Sequence, residues 1–176
     1  FANMGRGLKA RLADYLGMFL NIDTKMVALM KFLSNEGLRD DTIVVFQTDN
    51  GSTHGPLYYN AGMRGMKTEL WEGGHRVPCL ISWPNGDLAK PQAIDGLTQV
   101  QDMLPTLLDL CNILTDRKFD GMSLAPVLRG RTTVPEDRML VINYSRMPGF
   151  VNYPTPFAQT LMYRNPVSYT HLTLPT

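Results

Sequence analysis

The chain has 176 residues, 44% of them hydrophobic and 19% charged, with a formal net charge of +1. That length suits one domain of ordinary size with a real core. The even charge, without a Lys/Arg run, argues against nucleic-acid or membrane-surface partners, and no segment approaches the ~20 continuous apolar residues of a membrane span.

Residues 1–20 carry charges where the apolar centre of a signal peptide would lie, so they read as helix. Because the chain begins with Phe1 rather than Met, it reads as a fragment, with any targeting segment expected upstream. Leu12, Tyr15, Leu16, Phe19, Ile22, Met26, Leu29, Met30 and Leu33 recur at helical spacing, and Gly37 is placed to end that helix as its C′ residue. "RDD" turns the chain, and "TIVVFQ" predicts a short strand of the continuously apolar kind that a parallel sheet buries on both faces. A glycine- and tyrosine-rich loop of about 25 residues follows, long enough to expect function in it. "VPCLISW" then predicts a second strand, closed by Pro84-Asn85-Gly86. Leu104, Leu107, Leu108 and Cys111 mark another helix, with Asp102 as its expected N-cap and Pro105 in its first turn.

This alternation predicts an α/β fold. From "DGMSLAPVLRG" onward the pattern loosens, and "MLVINY" suggests a strand of a different, smaller sheet. Cys79 and Cys111 have neither metal spacing nor a disulfide framework and are expected to be small buried residues. The final stretch, "PVSYTHLTLPT", breaks with everything before it and resembles a translated adapter, so residues 166–176 are expected to be a non-native tail outside the fold.

"TDNGSTHG" places Asp49 and Asn50 at the open end of the first strand. In open α/β sheets ligands bind beyond the carboxyl ends of strands. A carboxylate and a carboxamide oxygen side by side suit a hard cation such as Ca²⁺ or Mg²⁺, although further ligands would have to come from elsewhere. Asp-Asn-Gly can equally be a plain turn. Farther along the loop stand Arg64, Lys67 and Arg76. Near a metal they would receive an anionic substrate; otherwise they are solvated surface cations. Trp71 reads as packing, and Glu72 and Arg76, four apart, as a pair that braces the loop.

"GLRDDTIVVFQTDNG", "MRGMKTELWEGGHRVPCLISWPNG", "VQDMLPTLLDL" and "FDGMSLAPVLRG" together closely resemble, in order and spacing, the motifs of the sulfatases of the alkaline-phosphatase-like superfamily. The resemblance implies the C-terminal part of a sulfatase-type α/β/α sandwich with a mixed, mostly parallel sheet over residues 1–130. It implies the start of a small C-terminal subdomain over 131–165. It also implies that Asp49 and Asn50 are two ligands of a Ca²⁺ ion and that Lys67 binds the sulfate and assists the leaving oxygen. His54 and Arg64 become candidates to touch substrate, whereas His75 and His171 do not. The formylglycine nucleophile that the family makes from a C/S-x-P-x-R motif has no counterpart in the chain and is expected upstream, with the other metal carboxylates. The intact protein is thus expected to hydrolyse a sulfated small molecule or glycan in a periplasmic, extracellular or lysosomal setting, the fragment alone being inactive. The alternatives are a phosphonate or phosphodiester hydrolase of the same superfamily and a catalytically dead module that binds sulfated glycans.

Overall fold

The computed structural model describes residues 6–144, 159–164 and 168–172. The chain forms two compact units, Phe1–Lys67 with Trp71–Asn85, and Thr68–Leu70 with Gly86–Thr176.

The first unit opens with helix α1, Arg6–Asn35. Its end follows from Gly37, whose φ of +68° is open to glycine at no steric cost. Leu38 N–H donates to the Leu33 carbonyl (2.8 Å) and Gly37 N–H to that of Ser34 (3.2 Å), the paired bonds of a Schellman motif. Of the predicted face, Leu33 is buried and Leu12, Tyr15, Met26 and Met30 are half-buried, whereas Leu16, Phe19, Ile22 and Leu29 are exposed. Strand β1 (Val44–Gln47) and strand β2 (Cys79–Ser82) form a two-stranded sheet. Phe19 and Met26 of α1, with Phe46 and Leu80 of the sheet, line a groove of about 600 Å³.

The strands correct the sequence reading. β1 and β2 are antiparallel, with Val44 opposite Ser82 and Gln47 opposite Cys79. The expected mostly parallel sheet is therefore replaced by a small, open, antiparallel one. The reason lies in the connection. Between the strands there is only a 3₁₀ turn, Gly55–Leu57, and a four-residue helix α2, Glu72–His75. A parallel return needs a crossover that carries the chain the length of the sheet, usually a full helix. The apolar run "IVVF" signals burial, and burial does not encode strand direction.

In the second unit, a 3₁₀ turn (Val100–Asp102) leads into α3 (Met103–Leu110), and α4 (Ala125–Leu128) follows. Leu124, Val127 and Val134 form its apolar cluster, with Met122 packed against them. Asp102 is not a side-chain cap of α3. Fully buried, it accepts from the Gln99 N–H (2.8 Å), the Met122 N–H (3.0 Å) and Arg138 Nη2 (2.6 Å). Strand β3 (Met139–Tyr144) lies in a separate sheet, but one of three strands rather than a smaller one. It pairs antiparallel with β4 (Gln159–Arg164), which pairs antiparallel with β5 (Ser168–Leu172). β5 falls within the stretch expected to stand outside the fold; residues 165–167 and 173–176 lie outside the described residues. Both cysteines are exposed, against expectation. Cys79 opens a strand whose first two residues are both exposed, and Cys111 follows the last turn of α3.

Candidate active site

The antiparallel return builds the candidate site. Because Gln47 faces Cys79, the residues leaving β1 run alongside the residues entering β2. Gly51 N–H donates to the Gly74 carbonyl at 2.8 Å, which carries the antiparallel contact past the strand ends. The approach leaves no room for a side chain: a Cβ on Gly51 would lie 1.8 Å from the Gly73 oxygen. Gly73 is enclosed from its other side, where a Cβ would lie 2.2 Å from the Gly65 oxygen. Its N–H donates to the Arg64 carbonyl (2.8 Å), and Lys67 N–H donates to the Ser52 carbonyl (3.2 Å). Three stretches of loop, 49–52, 60–67 and 71–76, are thereby joined through their backbones.

Asp49 and Asn50 stand where this clasp meets the end of β1. Asp49 is exposed and Asn50 half-buried, and Asn50 Nδ2 donates to Asp49 Oδ2 at 2.8 Å. The bond fixes the two side chains relative to each other. Lys67, distant in sequence, is brought by its backbone next to Ser52, with its side chain exposed. Arg64 is engaged otherwise: its guanidinium carbon lies 3.5 Å from the Trp71 ring centroid, a cation–π contact. His54 precedes the 3₁₀ turn, its N–H donating to Ser52 Oγ (3.1 Å) and its ring edge-on to Tyr15 of α1, 6.5 Å between centroids. The structure thus places Asp49, Asn50 and the Lys67 backbone in one clasp, and turns Arg64 toward Trp71 and His54 toward Tyr15.

Glu72 and Arg76 form the expected brace at 3.2 Å. Between them in sequence, half-buried His75 has its pKa lowered by burial, partly countered by Glu72. Desolvation raises the Cys79 thiol, away from the thiolate a nucleophile needs. Two residues escaped the sequence reading. Ser52 Oγ accepts from the N–H groups of His54 and Gly55, and Asn60 Nδ2 donates to the carbonyls of Met63 (2.7 Å) and Gly65 (2.8 Å). Their only signal was being turn-forming residue types next to glycine or within a glycine-rich run.

As a metal site the donors fit in kind but not in number. A carboxylate and a carboxamide oxygen are hard ligands, whereas Ca²⁺ takes six to eight oxygens. No group of three or more His, Cys, Asp or Glu able to hold a metal occurs among the described residues.

The profile of the sulfatase family matches residues 3–113, the stretch that contains the whole clasp. The chain belongs to the sulfatase family, within the alkaline-phosphatase-like superfamily. This sulfatase-family chain is 33% identical over 121 residues to the uncharacterised sulfatase YdeN of Escherichia coli (strain K12), covering 67% of this chain and 21% of that protein. It is 32% identical over 146 residues to the steryl-sulfatase of Mus musculus, covering 77% and 23% respectively. It spans less than a quarter of either relative's length. Among solved structures, the phosphonate monoester hydrolase SpPMH from Silicibacter pomeroyi shares the fold with a TM-score of 0.72 at 19% identity, over 97% of this chain and 36% of that one. The phosphonate monoester hydrolase of Agrobacterium radiobacter matches with a TM-score of 0.68 at 24% identity, over 89% and 32%.

Proposed function

We propose that the whole protein hydrolyses a monoester of a tetrahedral oxyanion, sulfate or phosphonate, and that this chain supplies the Asp49–Asn50–Lys67 part of its catalytic centre. The observation that carries the reading is the clasp, which joins the backbone of Lys67 to the turn that displays Asp49 and Asn50. A sulfate monoester and a phosphonate monoester each present one negative charge at neutral pH and a leaving oxygen that gains charge as its bond breaks. A lysine ammonium reaching toward two hard oxygen donors would suit both. Asp49 and Asn50 would hold a Ca²⁺ ion together with carboxylates from outside these residues. When bound, that ion would supply Lewis-acid neutralisation of the oxyanion. Lys67 would bind the substrate oxygens and offset charge on the leaving oxygen. Arg64 and His54 belong to the reading as residues at the margin of the substrate. The nucleophile, expected to be a formylglycine, would come from outside the chain, which has no C/S-x-P-x-R motif.

Sulfate has the support of the family and of the curated relatives. Phosphonate has the support of two phosphonate monoester hydrolases that share the fold at TM-scores of 0.68 and 0.72. The same proposal takes residues 1–130 as part of a catalytic domain, 131–165 as the start of a subdomain, and 166–176 as a non-native tail, of which residues 168–172 pair with β4. It takes a sulfated small molecule or glycan as the sulfate-side substrate, in an exported setting. No helix among the described residues is long and apolar enough to cross a membrane. The test is kcat/KM of the whole protein on an aryl sulfate and on an aryl phosphonate monoester. Turnover of either supports the hydrolase and names the preferred oxyanion. Binding of a sulfated glycan with no turnover of either ester would overturn it in favour of a binding module.

A further inference from the structure

The backbone on either side of Lys67 holds two non-glycine residues in a conformation they do not favour. Ala61 (φ 51°) and Thr68 (φ 74°) lie in the left-handed region, as do Gly62 (φ 74°) and Gly65 (φ 81°). A β-branched residue such as Thr68 is a true outlier there, and such strain persists only where the surroundings over-determine it. One side chain holds the turn that leads to Lys67. Asn60 Nδ2 donates to both the Met63 carbonyl (2.7 Å) and the Gly65 carbonyl (2.8 Å), while the Asn60 carbonyl accepts from Met63 N–H (2.8 Å). Both hydrogens of one amino group are engaged, so residues 61–65 are wound around the carboxamide. The next links are already tight. A Cβ on Gly73 would lie 2.2 Å from the Gly65 oxygen, the Gly73 N–H donates to the Arg64 carbonyl, and the Lys67 N–H donates to the Ser52 carbonyl.

We propose that Asn60 is the positioning residue for Lys67, acting through the turn it winds and not by contact with substrate; the assignment rests on the hydrolase reading above. The chemistry selects asparagine. Two carbonyl oxygens face the group, so it must offer two donors from a single nitrogen at short reach. Aspartate would present oxygens to oxygens, and glutamine is one methylene longer.

The whole protein is tested as Asn60→Ala, Asn60→Asp, Lys67→Ala and the Asn60→Ala/Lys67→Ala double variant. Asn60→Ala is expected to lower kcat on the order of tenfold to a hundredfold with KM little changed, as a misplaced catalytic group does. Asn60→Asp should be worse. The double variant should be no slower than Lys67→Ala alone, because a residue that acts through Lys67 has nothing left to act on. Losses that multiply would overturn the proposal. Hydrogen exchange of peptides spanning Lys67 gives a readout independent of turnover. Exchange should be faster in Asn60→Ala than in wild type, and unchanged exchange defeats the proposal. Faster exchange in a protein that cleaves neither ester would keep the positioning role and defeat the hydrolase reading. Where Asn60→Ala fails to fold, Asn60→Ser, with a shorter reach and a single donor, takes its place in the same comparison.

Discussion

Between Asp49 and Arg76 the loops are joined to one another through N–H to carbonyl bonds and glycines with no room for a Cβ, while Ser52 and Asn60 shape the turns within them. Around Asp102 the side chains do the holding. The buried carboxylate gathers two backbone N–H groups and Arg138, while buried Thr106 donates to the Asp102 carbonyl (2.6 Å) and accepts from Leu124 N–H (2.8 Å). The difference decides what each region can do. A clasp made mainly of main chain leaves Asp49 and Lys67 exposed and available to a ligand. A cluster made of side chains turns its polar groups inward, so they are engaged with one another and not with a ligand.

The comparison breaks most sharply at Gly51. Gly51→Ala would push a Cβ to 1.8 Å from the Gly73 oxygen, an overlap that only separation of the two loops can relieve. We expect loss of soluble protein or, where it folds, loss of ester turnover; soluble yield and turnover of the whole protein decide. Near-normal values would show that the clasp gives way easily.

On the other side stands Asp102→Ala. Arg138, its side chain 11% exposed, would lose the carboxylate 2.6 Å from it. Removing one partner of a buried ion pair costs ~3–5 kcal/mol, because the remaining charge stays uncompensated. Chemical denaturation should show that loss, with kcat of the surviving folded fraction unchanged. A fall in kcat at unchanged stability would mean that the cluster is not purely structural.

Lys67→Ala tests the functional half directly. Loss of one preorganised charge-stabilising donor costs ~3–4 kcal/mol, a hundred- to a thousandfold in kcat, with the fold retained. The loss should be greater for an alkyl ester than for an activated aryl ester, whose leaving group needs less help. Lys67→Arg should not restore the rate fully, since a planar guanidinium does not occupy the position of an ammonium. A rise in KM alone would make Lys67 a binding residue.

The two regions also differ in how far they were legible. Helix α1 and its Gly37 terminus were readable because periodicity and capping are local. So was the Glu72–Arg76 brace, four residues apart. Strand direction was not, because the apolar run records burial and the pairing depends on where a long loop returns. Asp102 was read as a cap because its type and position before α3 suit one. Its actual partners include Met122 and Arg138, far along the chain. Asn60 was invisible for a similar reason: what distinguishes it is the pair of carbonyls its turn presents.

Gly17 sharpens the contrast with Gly51 at lower cost. It lies within α1, and a Cβ there meets nothing within 4 Å. Gly17→Ala should stabilise the helix by ~0.5–1 kcal/mol, the usual difference between the two residues in a helix interior. A rise in Tm with unchanged kcat is the expected result. A loss of stability would mean that something packs on that face in the whole protein.

The smallest effect concerns His75, the one histidine within the clasp whose protonation the fold opposes. Burial lowers its pKa from the ordinary 6.5, and Glu72 offsets only part of that. The folded state therefore binds this proton less readily than the unfolded state. Stability from His75 is fully present above 6.5 and is lost as pH falls below that value toward the depressed folded pKa. Thermal unfolding of wild type and His75→Gln between pH 8 and about pH 5, the span over which histidine changes charge, should give curves that agree in shape at the upper end. Wild type should then fall more steeply below 6.5. Parallel curves throughout would mean that the loop opens to water around the imidazole, and that the clasp excludes solvent only at its glycines.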